Sequence, residues 1–77
     1  MIKVLYDPEV DAATIYLKDV HGGESVKTYP CDPLEVNGEI NLDFNEEGRL
    51  VAIEVLDASR KLPKNILENA IIPVQNS

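Results

Sequence analysis

Residues 45–57, NEEGRLVAIEVLD, are the stretch of this sequence with the most potential chemistry, because they contain four of its fourteen carboxylates next to its most apolar run. Five residues fall at ligand or bend positions of an EF-hand register: Asp43, Asn45, Glu47, Gly48 and Glu54. Calcium prefers hard oxygen ligands that close around a glycine bend. An EF-hand loop follows a helix, however, whereas residues 39–44 alternate with the period of a strand. We therefore expect no metal site and no cofactor here.

A β-hairpin explains the same segment better. If Phe44 pairs with Arg49 across NEEG, the strongest apolar positions of EINLDF (39–44) and RLVAIEVL (49–56) share one face, since Leu42 faces Val51 and Ile40 faces Ile53. A slip of one residue would turn each set to the opposite face, so the pattern favours this register. Gly48 is then predicted to be a structural turn residue in the left-handed conformation.

The predicted register sets Glu39 opposite Glu54 on the less apolar face. Carboxylates placed across a ladder repel each other, and such a pair can raise a pKa, serve as acid and base, or bind a cation. Exposure to solvent, or pairing with a lysine, is the simpler explanation. No nucleophile with a fixed base lies near Glu39, Glu54 and Asp43 in the sequence. These residues are therefore only weak catalytic candidates, and the sequence favours a protein that is not an enzyme.

Period-two alternation predicts the elements that must hold these residues. Five strands are expected within residues 2–56, at 2–6, 13–18, 25–29, 39–44 and 49–56. Their connections are short and contain no predicted helix, which requires antiparallel neighbours. A helix over about 58–71 should begin at Asp57 as N-cap, with Pro63 in a first-turn position.

The sequence therefore predicts one α+β domain over residues 1–77. It is an antiparallel β-meander of about five strands with one C-terminal helix packed on one face, followed by a frayed tail at 72–77. The segment 30–39 is expected to be a loop because it contains two prolines. His21 should be exposed in a glycine turn.

Charge and cysteine content narrow the classes of partner. Residues 1–57 contain thirteen acidic and four basic residues, a net charge of −9, whereas residues 58–77 have a net charge of +2. An acidic body repels phosphate, so we expect no nucleic-acid binding, and a basic protein is the better electrostatic match. The single cysteine, Cys31, excludes an internal disulfide. We find no signal peptide or membrane span in the sequence and expect a cytoplasmic protein.

The second sheet face is the predicted interaction surface, because one helix cannot cover both faces of a sheet. Its expected members are Leu5, Tyr16, Tyr29, Leu50, Ala52 and Leu56. Apolar and aromatic residues ringed by acids are typical of an interface. The sequence therefore favours a non-enzymatic interaction module, either a homo-oligomer or a domain that binds a small basic protein. The alternative is a small metal-dependent or acid/base enzyme that uses the carboxylates.

Four segments carry a resemblance to a known family: YDPEVDAATIYL, GEINLDF, GRLVAIEVLDASRKLP and NILENA. Together they resemble DUF2283, a family of small prokaryotic domains of unknown function. The resemblance implies no assigned activity. Some members look like antitoxin-like neighbours of small basic toxin-like proteins, which implies a basic partner. Ala52 departs from the family pattern, in which glycine usually precedes the Ile-Glu pair.

Overall fold

The computed structural model describes residues 2–18 and 27–73. Its main element is a sheet of five strands: β1 (Lys3–Asp7), β2 (Ala12–Tyr16), β3 (Lys27–Pro30), β4 (Ile40–Phe44) and β5 (Leu50–Leu56). Each strand pairs antiparallel with its neighbours, and the order across the sheet is β1-β2-β5-β4-β3. The predicted five-stranded antiparallel sheet is confirmed. The predicted meander is wrong, because β5 lies between β2 and β4 instead of at an edge.

The central position of β5 follows from its composition. Its sequence LVAIEVL is the most apolar run of the chain, and a strand with neighbours on both sides buries more of its surface than an edge strand. Val51 has no exposed surface, and Ala52 and Val55 are each 3% exposed. Pairing in sequence order would have left this strand at an edge.

Three short helices replace the one that was predicted: α1 (Pro33–Val36), α2 (Ala58–Lys61) and α3 (Lys64–Glu68). The segment 58–71 is not a single helix because Pro63 forces the preceding residue out of the helical region. Leu62 is accordingly extended, with φ −96° and ψ 146°. The expected loop at 30–39 contains α1, which starts where Asp32 caps it by accepting a bond from the Leu34 backbone amide.

Asp57 does not cap α2 with its side chain, contrary to the prediction. It has a left-handed backbone, and its carboxylate lies 3.3 Å from Arg60 instead. The cap comes from Asp11, in the turn between β1 and β2. The Asp11 carboxylate accepts hydrogen bonds from the Ser59 amide at 2.9 Å and the Ser59 hydroxyl at 2.7 Å. A long-range contact thus replaces the local cap that the sequence pattern suggested.

The core lies between the sheet and the two C-terminal helices. Ala13, Val55 and Ala58 are buried at its centre, and Tyr6, Ile40, Ile53, Leu62 and Leu67 pack against them. We call the side of the sheet that contains Tyr6, Ala13, Ile40, Ile53 and Val55 the helix face. The predicted placement of helix on one sheet face is therefore correct, although two helices share the task.

Both edges of the sheet offer few free backbone groups. Ile71 runs beside β1, where its amide donates to the Val4 carbonyl and its carbonyl accepts from the Tyr6 amide, each at 2.9 Å. At the other edge, the Cys31 amide donates to the Ile40 carbonyl at 2.8 Å. In the ladder that includes this bond, the backbone groups of Thr28 and Pro30 point away from β4. Pro30 has no N–H, so it cannot donate a hydrogen bond at this edge. Neither edge is a good template for adding a strand.

Some predictions fall outside the described residues. They concern His21 and its glycine turn, the start of the third strand at residues 25 and 26, and the tail beyond residue 73. Across residues 2–18 and 27–73, every helix is too short to cross a lipid bilayer.

Candidate functional site

The candidate site lies on the sheet face opposite the helices, which we call the polar face. The strand register arranges its residues in two adjacent rows across the five strands. The first row is Lys3, Tyr16, Ala52, Asp43 and Thr28, and the second is Leu5, Thr14, Glu54, Asn41 and Pro30. Because side chains alternate along a strand, all ten point to the same side of the sheet.

The pairing of β4 with β5 differs from the predicted register by two residues. Asn41, not Glu39, lies opposite Glu54. One residue of the difference comes from the turn, which the Asn45 amide closes on the Arg49 carbonyl, and the other from a bulge beside Phe44. An even shift leaves each side chain on its predicted face, so the apolar pattern fixed the faces but could not fix the register.

Asp43 is the one buried charged side chain among the described residues, at 5% exposed. It lies diagonally across the ladder from Glu54, where the two carboxyl groups can share a hydrogen bond when Glu54 is protonated. Its Oδ1 also accepts a hydrogen bond from the Thr28 hydroxyl at 2.7 Å. A neutral polar group buried without a partner costs roughly 2–7 kcal/mol and an ionised carboxylate costs more, so Asp43 needs such partners. Thr28 and Glu54 supply them.

Glu54 is the member of this pair whose pKa is raised. The hydrogen bond to Asp43, followed by partial burial and the negative charges of Asp43 and Glu39, raises the pKa of Glu54 to about 7. Protonated Glu54 can donate to Asp43, whereas two ionised carboxylates would repel each other. Glu39 therefore acts on Glu54 through its charge, although it is not the residue opposite.

The residues predicted to form the interface separate between the two faces. Leu5, Tyr16 and Ala52 stand on the polar face in the rows above, and Leu56 follows Glu54 there, opposite Ala12. Tyr29 does not, because the register pairs it with Leu42, whose neighbour Ile53 belongs to the helix face. Leu50 pairs with Phe44 beyond the bulge, so the alternation that places Ala52 does not extend to it.

In the turn at residues 45–48, a polar side chain is hydrogen-bonded to the local backbone. The Asn45 side-chain oxygen accepts hydrogen bonds from the Glu47 and Arg49 amides, both at 3.0 Å. Gly48 has a φ of 80°, in the left-handed region. Asp43, the first position of the calcium register, belongs to strand β4 and is directed at Thr28. Among residues 2–18 and 27–73, no three His, Cys, Asp or Glu side chains are grouped as a metal site requires.

Negative charge prevails on the polar face. Asp7 stands on it in β1, and Glu39 follows from the bond that the Leu56 amide donates to the Glu39 carbonyl at 3.0 Å. With Asp43 and Glu54 these make four acidic residues, against the two basic residues Lys3 and Lys18. Lys18 follows Leu17, whose amide donates to the Val51 carbonyl at 2.9 Å, so alternation places Lys18 on the same face as Tyr16. The helix α1 reaches only one end of the face, where Pro33 lines a cleft of about 470 Å³ with Asn41 and Leu56.

Sequence reasoning missed two features of this region. The first is the bond between Thr28 and Asp43: the predicted meander places β3 beside β4, but the weak alternation of β3 does not predict the register of the pair. The second is the network of Asp11, Ser59 and Tyr6, in which the Tyr6 hydroxyl donates to Asp11 at 2.8 Å. The pairing of a turn aspartate with a serine at a helix start is a signal that could have suggested the second.

Comparison with known proteins bears on this arrangement. A family model described as "Protein of unknown function (DUF2283)" matches residues 3–59, well over half of the chain. The chain belongs to the DUF2283 family. No curated protein and no solved structure gives a significant match.

The DUF2283 match covers the whole sheet and ends at Ser59. It therefore includes Asp43 and Glu54 on the polar face, and both partners of the cap between Asp11 and Ser59. The helix α3 and the Ile71 segment beside β1 lie after it.

Proposed function

We propose that this domain is a non-enzymatic protein-interaction module whose polar face binds a basic protein. The observation that carries the proposal is the composition of that face. Leu5, Tyr16 and Leu56 are half-buried there around the acidic pair of Asp43 and Glu54, while α2 and α3 lie on the opposite side. An apolar patch with a charged centre is more typical of a protein-binding surface than of a surface that contacts only solvent.

Electrostatics indicate the sign of the partner. The polar face has four acids and two bases, and residues 1–57 have a net charge of −9. A basic protein would be steered toward this surface, and a lysine or arginine of that protein placed between Asp43 and Glu54 would replace the shared proton. Such a partner agrees with an antitoxin-like role, in which an acidic domain binds a small basic protein.

A matched pair of charge variants tests the proposal. Thr14 lies opposite Glu54, so Thr14→Lys places an ammonium on the polar face next to the acidic pair. Leu34→Lys adds the same charge on α1, where Leu34 is 90% exposed. The immobilised wild type and both variants are incubated with lysate of the source cells, and the retained proteins are identified; the product of the adjacent gene is the first to purify.

The expected result is a basic protein retained by the wild type and by Leu34→Lys but lost with Thr14→Lys. Calorimetry on the purified partner should then show binding weakened by at least about tenfold for Thr14→Lys, a difference of about 1.4 kcal/mol. Equal binding of the partner to all three proteins, or the retention of no basic protein, would contradict the proposal.

A second candidate is acid/base catalysis by Glu54, favoured by the single observation that its pKa is raised to about 7. A group that titrates near neutral pH can both donate and accept a proton. The pair lies on a sheet surface, however, and the cleft beside Asn41 and Leu56 does not include Asp43 or Glu54. Thermal melts with magnesium, manganese, calcium and zinc, and NMR titration of the carboxyl groups, separate the candidates. A metal-induced rise in melting temperature that Glu54→Gln removes would favour catalysis.

A further inference from the structure

The helix face is only partly covered by the described helices. Leu62 and Leu67 pack over Ala13 and Val55, in β2 and β5. The other side of the same face, on β3 and β4, forms a cleft of about 630 Å³ whose walls include Tyr29, Leu42 and Phe44. Tyr29 is 59% exposed. We call this cleft the β3–β4 groove.

We infer that the β3–β4 groove is the site at which a second copy of this chain docks, related to the first by a two-fold axis. This inference does not depend on the basic partner, because it concerns the opposite side of the sheet. Two observations indicate the occupant: the charged residues beside the groove and the backbone hydrogen bonds at the sheet edges.

Charge distinguishes the groove from the rest of the acidic body. The groove has one cation, Lys27, and one anion, Glu46, and both lie near the turn end, since Lys27 pairs with Phe44 and Glu46 follows it by two residues. In a two-fold interface the same patch meets itself, so Lys27 of each copy approaches Glu46 of the partner. The polar face has four acids to two bases, so two copies would repel each other there.

The edges of the sheet exclude the main alternative for self-association. Ile71 occupies the Val4 carbonyl and the Tyr6 amide, and Pro30 removes a donor from the outer edge of β3. Two copies therefore gain little by joining edge to edge, and an apolar groove is left as the surface that a small domain benefits from burying.

Charge exchange between copies provides the test. The single variants are Lys27→Glu and Glu46→Lys. In a dimer of either variant, residue 27 of one copy and residue 46 of the other have like charges, and this happens at both symmetry-related contacts. Sedimentation analysis at micromolar concentrations should show a dimer for the wild type and monomers for each single variant. An equimolar mixture of the two variants restores both opposite-charge contacts and should dimerise. Tyr29→Ser should weaken the dimer by at least about tenfold.

Two matched controls keep this result separate from the proposed function. Leu34→Ser removes an exposed leucine outside the groove, and Thr14→Lys alters the polar face; both should remain dimeric. A wild type that is monomeric at all concentrations would overturn the inference, and so would dimers of both single variants. A large drop in the melting temperature of monomeric Tyr29→Ser would show instead that the groove is filled within one chain, which also overturns it.

Discussion

Glu54 on β5 lies diagonally across the ladder from Asp43 on β4, and their carboxyl groups can share a hydrogen bond only when one of the two keeps its proton. Asp43 is buried and already accepts from Thr28, so Glu54 is the group whose pKa is raised, from 4.5 to about 7. The folded protein therefore binds this proton more tightly than the unfolded chain does. Stability must fall as the pH rises from about 5 to about 8, because ionisation of Glu54 is easier after unfolding.

The variant Glu54→Gln should remove this pH dependence. Its amide can donate to Asp43 at every pH, so the variant should gain stability relative to wild type at pH 8 and little at pH 5. We expect a gain of about 1–2 kcal/mol at pH 8, a value reduced for the solvent that reaches this side chain. Urea unfolding at both pH values measures it. Glu47→Gln, on an exposed side chain of the turn before β5, is the control, and equal pH profiles for all three proteins would contradict the assignment.

A pair of glycine substitutions tests which aspartate caps α2. Asp11 and Asp57 have nearly the same left-handed backbone, with φ values of 53° and 54°, so glycine relieves the same strain at both positions. Only Asp11 accepts hydrogen bonds from Ser59. We expect Asp11→Gly to lower the melting temperature clearly and Asp57→Gly to change it little.

Acid should reduce the difference between these two variants. The hydrogen bonds from Ser59, followed by that from Tyr6, lower the pKa of Asp11. The stability due to this carboxylate is therefore fully present above its ordinary value of 3.8, and it is lost as the pH falls through the lowered pKa. Melting curves at decreasing pH follow this loss. If Asp57→Gly were the more damaging change at neutral pH, the local cap inferred from the sequence would be correct after all.

These contacts show what a single sequence can and cannot predict. Alternation along β4 and β5 determined which side chains share a face, because a period of two survives any even shift. It could not reveal the bulge beside Phe44 that set Asn41 opposite Glu54. The strand order was missed for a related reason. The position of β5 next to β2 depends on burial across the whole sheet, whereas sequence patterns favour pairing between strands that are consecutive in the chain.

The contact between Lys61 of α2 and the end of α1 provides a further prediction. Its ammonium donates to the Val36 carbonyl at 2.8 Å and to the Asn37 carbonyl, so α2 satisfies the end of α1. Lys61→Met keeps the apolar stem but leaves these carbonyls without that donor, which should cost about 1 kcal/mol. Lys64→Met, on an exposed residue of α3, is the matched control. Chemical unfolding measures both, and equal stabilities would show that the contact contributes nothing.

The turn before β5 gives the last prediction, and it separates a structural glycine from a calcium loop. A Cβ added to Gly48 would meet no atom within 4 Å, so the cost of a substitution arises from the backbone alone. With φ at 80°, valine should lose about 1–2 kcal/mol, whereas asparagine, which tolerates the left-handed region, should lose less. Glu47→Gln should hardly change the melting temperature, because Glu47 is exposed and only its backbone amide is used, by Asn45. All three variants and the wild type are melted with and without calcium. A wild type that melts higher in calcium, with the increase lost in Glu47→Gln, would show that this turn binds the ion.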